Sequence, residues 1–201
     1  MTKTNRSGHF PILAVQPSTQ RPLVDVLRHE GGHMVVARAL GFETGDLVLS
    51  KDGAGAKINP EPKLGSLQEV CGYMKARMMV LYAGVLAESL KAGKVQNQKA
   101  IELANGIEGK DDRSKVSEFS KIVAGIECGD RSFGEVASEV EAQAWNRSAY
   151  LVEKYGSQIV ALSKIWRETV GGAEDFAISA SDISNIDVFA NIPVGGDLGQ
   201  A

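Results

Sequence analysis

The chain has 201 residues, 43% hydrophobic and 6% aromatic, with 22 basic against 25 acidic side chains and a net charge of −3. That length suits one domain of ordinary size or two small ones, and the apolar share is enough for a core. The balance leaves no basic excess for nucleic acid and no polybasic run for an anionic membrane surface, and the two isolated cysteines, Cys71 and Cys128, fit a reducing compartment better than a disulfide framework.

Residues 1–20 are polar and contain prolines. They read as an N-terminal arm, with room for a short strand over Pro11–Val15. No apolar core of signal-peptide length occurs there, so the expected location is the cytoplasm. A helix is expected over 22–40. Pro22 suits its first turn, Leu23, Val26, Leu27, Val36, Ala37 and Leu40 recur at spacings near three and four, and Gly41 follows as a helix stop.

That helix carries His29-Glu30-Gly31-Gly32-His33. Residues four apart share a helix face, so two imidazoles at this spacing can bind one zinc ion. Glu30, beside the first of them, can take a proton from a water that the metal activates. The pattern points to a zinc-dependent hydrolase. Gly31-Gly32 is costly inside a helix, at about 1 kcal/mol per glycine relative to Ala. Either a neighbouring helix or a substrate comes close there, or the pair is neutral.

Asp46–Lys51 alternates as a short half-buried strand, and Ala56–Pro60 fits a second one after a turn at 52–55. Pro60-Glu61-Pro62 reads as a loop. From Ser66 the pattern is helical again, with Val70, Met74, Met78, Leu81, Val85 and Leu86 on a broad stripe, Glu88 near the end and Gly93 as the stop. The most apolar stretch, Met78–Leu90, is too short to span a bilayer. Further helices are expected over 97–104 and 111–127. The longest pattern runs over 132–170, divided or bent at Gly156. From residue 173 the chain is acidic and then Gly-rich, and reads as a tail with partial disorder.

A catalytic zinc needs a third protein ligand. His9 is the only other histidine and lies in the arm. A carboxylate from a later helix is the better source: Glu88, or one of the pair Asp111-Asp112. Helix N-termini favour acidic residues anyway, and Glu88 could be an ordinary surface residue, so chemistry alone leaves the three open.

The order of these motifs resembles the peptidase domain of the FtsH family of ATP-dependent zinc proteases. HEGGHMVVARALGF is similar to that family's H-E-A-G-H helix, and VLYAGVLAESL (80–90) to its small-residue AE motif. DRSKVSEFS (112–120) resembles the helix that opens on an aspartate and reads roughly D-x-x-x-A-T-x-x-A. The likeness covers about residues 22–170, including the WNRSAYLVEKYGSQIVALSKIWRETV region. It implies zinc held by His29, His33 and Asp112, with Asp111 as the register alternative; on the chemistry of the residues, Glu30 is the expected general base and Glu88 either a group that orients a histidine or an ordinary surface residue. The chain departs from the family at Gly31, where the motif has alanine, and at Ala83-Gly84, where it has two glycines. No G-x-x-x-x-G-K-[ST] loop occurs in the 201 residues.

The expectation is therefore a mainly α (α+β) fold, a helical zinc-peptidase domain over 21–172 with a small β element of two or three short strands, and a tail over 173–201. The expected substrate is a protein or peptide, with no nucleic acid and no membrane span, and with a homo-oligomer or a partner ATPase left open. A catalytically weak, metal-binding regulatory or scaffold protein is the alternative.

Overall fold

Pro22 starts the first described helix where a missing N–H costs nothing. The computed structural model describes residues 21–50, 53–59, 63–171, 173 and 175–196. The expected arm with its Pro11–Val15 strand and His9, the turn residue Asp52 and the Pro60–Pro62 loop lie outside them. Helix α1 (Leu23–Ala39) gives way at Gly41, whose φ of +83° a side chain would resist. A hairpin follows, β1 (Glu43–Ser50) and β2 (Gly53–Asn59), then helices α2 (Leu67–Glu88), α3 (Asn97–Asn105), α4 (Lys110–Glu127), α5 (Phe133–Lys154) and α6 (Gly156–Val170). Strand β3 (Phe176–Ile178) and two short helices, α7 (Ala180–Ser184) and α8 (Asp187–Ala190), complete the described chain. The fold is mainly helical with one small antiparallel sheet.

Helix α2 is the centre. Ser66 caps it, its hydroxyl accepting from the Glu69 N–H at 3.2 Å. Every residue from Met78 to Glu88 is buried, and α1, α4 and α5 pack around it. A helix that is apolar on all sides belongs inside a core or a bilayer. By length and composition α2 could cross a membrane, and 61% of that apolar window is buried inside this fold. The stretch Met78–Leu90 hides that length, because the helix begins eleven residues before it, at Leu67.

The sheet runs β2-β1-β3, with Leu47 of β1 opposite both Ala56 and Ile178. Strand β1 begins at Glu43, earlier than its alternation suggests, because pairing of Glu43 with Asn59 and Thr44 with Ile58 continues past an irregularity before Leu47. The segment read as a tail supplies β3 and buries Ile183, Phe189 and Ile192. Arg38 of α1 fastens it: Nε donates to the Ile192 carbonyl at 2.9 Å, and the guanidinium lies 4.9 Å over the Phe189 ring. The long pattern over 132–170 divides at Tyr155 into α5 and α6.

The two motif glycines separate in this packing. A Cβ on Gly32 would lie 2.4 Å from the Ala83 carbonyl oxygen and 2.6 Å from the Ala87 methyl, so α1 and α2 touch backbone to backbone there. A Cβ on Gly31 would meet the Trp166 ring at 3.6 Å and Ile159 at 3.7 Å, ordinary contacts. Gly31→Ala is therefore expected to stabilise the fold by about 0.5–1 kcal/mol through helix propensity. Gly32→Ala is expected to destabilise it by about 1–3 kcal/mol or more through overpacking. Urea unfolding of the two variants measures both; equal effects would contradict the assignment.

Candidate metal centre

One helical turn separates His29 and His33, and their rings sit 4.7 Å apart, nearly perpendicular at 78°. What each ring nitrogen touches decides what the pair can do. His33 Nδ1 lies 2.7 Å from the Val80 carbonyl of α2. A carbonyl only accepts, so Nδ1 is the donor there, which leaves Nε2 as the ring nitrogen that a metal would take. His29 Nδ1 lies 3.4 Å from Glu88 Oε2 at the end of α2, which favours the same tautomer.

Both Nε2 atoms face Asp112, in the first turn of α4. Its Oδ2 is 3.2 Å from His33 Nε2 and 3.6 Å from His29 Nε2. The three donor atoms all lie within 4.8 Å of one another, and together they could hold a metal ion. Four ligands at 2.0–2.1 Å from a tetrahedral zinc stand about 3.3 Å apart, close to the spacing found here. The histidines are buried, while the Asp112 side chain is 21% exposed.

The floor of the site is backbone. A Cβ on Gly84 would sit 2.5 Å from both Nε2 atoms, so the space these nitrogens face exists because α2 carries glycine there. The small pair Ala83-Gly84 was visible in the sequence, but nothing in its spacing said which atoms would approach it.

The structure thus brings His29, His33 and Asp112 together and puts Glu88 behind His29. Asp111 is exposed and outside the group, as one residue's step of about 100° around a helix requires. Glu30 is buried, and its Oε2 accepts the Ala56 N–H of β2 at 2.7 Å. Arg21, which no motif singled out, donates through Nε to Glu88 Oε1 at 3.1 Å and through Nη2 to Glu88 Oε2.

No protein-family model and no curated protein matches this chain. The functional reading therefore rests on the chemistry of the site.

Burial opposes a charge on His29, but hydrogen bonds to Asp112 and Glu88, with Glu30 nearby, outweigh it and push its pKa up to about 9. Burial also opposes a charge on Asp112, yet the two histidines hold its carboxyl well below the usual range, and His29 and Arg21 likewise lower that of Glu88. Without metal, these shifts favour an ion pair between His29 and Asp112, whose Nε2 and Oδ2 lie 3.6 Å apart. The stabilisation from His29 is complete below its ordinary pKa of 6.5 and is lost as pH rises through about 9. That from Asp112 is complete above its ordinary 3.8 and is lost on acidification. A metal must displace the His29 proton, so its affinity rises with pH over the same interval. Between pH 6.5 and 9 the chelated protein should lose thermal stability while zinc affinity climbs by roughly tenfold per unit. Melting curves and chelator-competition titrations at stepped pH read the two trends; a parallel rise of both would contradict this electrostatic account.

Proposed function

We propose that this chain is a zinc-dependent metalloendopeptidase whose domain resembles the peptidase part of the FtsH family. One observation carries the reading: both imidazoles engage Nδ1 with protein acceptors and turn Nε2 toward a single oxygen of Asp112. Three protein donors are the number a catalytic zinc uses, with the fourth ligand left to water or substrate.

When bound, zinc lowers the pKa of water toward about 7 and polarises a peptide carbonyl. His29, His33 and Asp112 would hold it. Glu30, next in sequence to a ligand, accepts the proton of the attacking water and delivers it to the leaving amine nitrogen as the C–N bond breaks. Glu88 orients His29 through Nδ1. Strand β2 is an edge of the sheet, and its Ala56 N–H turns toward Glu30 rather than β1. An extended peptide added along that edge would run beside the general base.

The test is metal content together with cleavage. The purified protein should carry about one zinc per chain and cut an unstructured fluorogenic peptide without ATP. A chelator should stop cleavage, and added zinc should restore it. Stoichiometric metal with no chelator-sensitive cleavage would favour the metal-binding scaffold instead. Absence of metal after gentle purification, with none taken up on addition, would remove both readings.

A further inference from the structure

Glu88 is poorly placed for a lone carboxylate. It is the last residue of α2, at the end of the helix where the backbone dipole disfavours negative charge, and its side chain is only 4% exposed. A buried charge in that position persists only with strong partners. Among the described residues its carboxylate hydrogen bonds go to two groups, the Arg21 guanidinium and His29 Nδ1. Arg21 engages both oxygens, Nε on Oε1 and Nη2 on Oε2, in the fork geometry that guanidinium and carboxylate share. Oε2 is then shared between Arg21 and His29, so the guanidinium sets where the acceptor of the His29 N–H can lie.

Resting on the metal site of the proposed function, we propose that Arg21 is a positioning residue for the metal centre: its fork on Glu88 fixes the carboxylate that aims His29 Nε2. The chain Arg21–Glu88–His29 links a residue two positions ahead of α1 to a ligand inside it, across the end of α2. Arg21 touches neither metal donor nor the place of a substrate. Its hydrogen bonds go to Glu88, while its charge also acts directly on His29 and disfavours the protonated ring; the positioning effect is the part that passes through Glu88, and it needs the planar fork as well as the charge.

Zinc affinity, measured by competition with a chromophoric chelator, separates this from a merely structural role. Loss of a group that orients a metal ligand weakens metal binding by about 10–100-fold. Arg21→Ala should show a fall of that size, and Arg21→Lys, which keeps the charge but not the fork, should show part of it. The absorption bands of the cobalt-substituted protein should shift in the same order, because they report the ligand geometry directly. In a Glu88→Ala background, Arg21→Ala should have a much smaller effect, because only its direct charge effect on His29 remains. Circular dichroism of the metal-free variants should match the wild type, and if Arg21→Ala is poorly folded, Arg21→Lys carries the comparison.

If wild-type protein binds zinc and Arg21→Ala binds it as tightly, the proposal is overturned while the metal site stands. It is overturned in the same way if the effects of Arg21→Ala and Glu88→Ala simply add. If the wild type takes up no zinc or cobalt at all, the metal site and this proposal fall together.

Discussion

Replacing Glu30 with glutamine should cut peptide hydrolysis by about 10²–10⁴-fold, the range that a positioned general base contributes, while zinc content stays at the wild-type level. The substitution is chosen on geometry. Glu30 accepts the Ala56 N–H through Oε2, and a glutamine carbonyl oxygen of the same length can accept it equally well. Packing of α1 against β2 is therefore kept. Neither His29 nor His33 uses Glu30 as its Nδ1 acceptor, so the ligand orientations survive as well. What disappears is a carboxylate able to take a proton. The loss should fall on kcat, with KM little changed, because the group acts in the transition state more than in binding. Steady-state kinetics beside elemental analysis of the same preparation read both quantities. Wild-type turnover in the zinc-loaded variant would end the general-base assignment; lost metal together with lost activity would mean that Glu30 is structural.

The parts of the site written in short-range spacing were legible in the sequence, and those made by tertiary approach were not. His29 and His33 stand four apart and Glu30 three before His33, so periodicity alone puts both imidazoles on one face and Glu30 at its edge. Asp112 comes from another helix, and spacing left it level with Asp111 and Glu88 until a family resemblance ranked them. Ala56 contributes a backbone N–H, which no residue letter reveals. Arg21 acts through a pairing with a residue at the far end of α2, and its neighbours in the chain give no hint of it. The fold follows the same division. Long amphipathic and apolar stretches announced α1, α2, α4, α5 and α6. Strand β3 is three residues long and depends on pairing with β1, so its alternation was too brief to separate from an acidic, glycine-rich tail. Gly31 and Gly32 looked alike as letters, and only the neighbours that each backbone meets tell them apart.

Gly84→Ala should weaken zinc binding by about a hundredfold or more, a loss at or above the upper end of what displacing a metal ligand's support costs. The His33 ring lies across one turn of α2, with Nδ1 on the Val80 carbonyl and Nε2 over Gly84, and those two residues stand four apart. A methyl on Gly84 would come within 2.5 Å of Nε2 on both histidines. Comfortable non-bonded separation is about 3.5 Å, so each ring would have to withdraw by roughly 1 Å. His33 cannot do so without giving up its 2.7 Å bond to Val80, and His29 is held by Glu88. Either response shifts an Nε2 from the position in which it now meets Asp112 Oδ2. Gly72→Ala is the control, since it lies on the same helix with nothing within 4 Å of the added carbon. That variant should bind zinc normally and gain up to about 1 kcal/mol of stability from helix propensity. Chelator competition on the two variants, with circular dichroism to verify that both remain helical, compares them under one condition. A Gly84→Ala protein that stays folded and keeps wild-type zinc affinity would mean that the ion sits somewhere other than over this turn of α2.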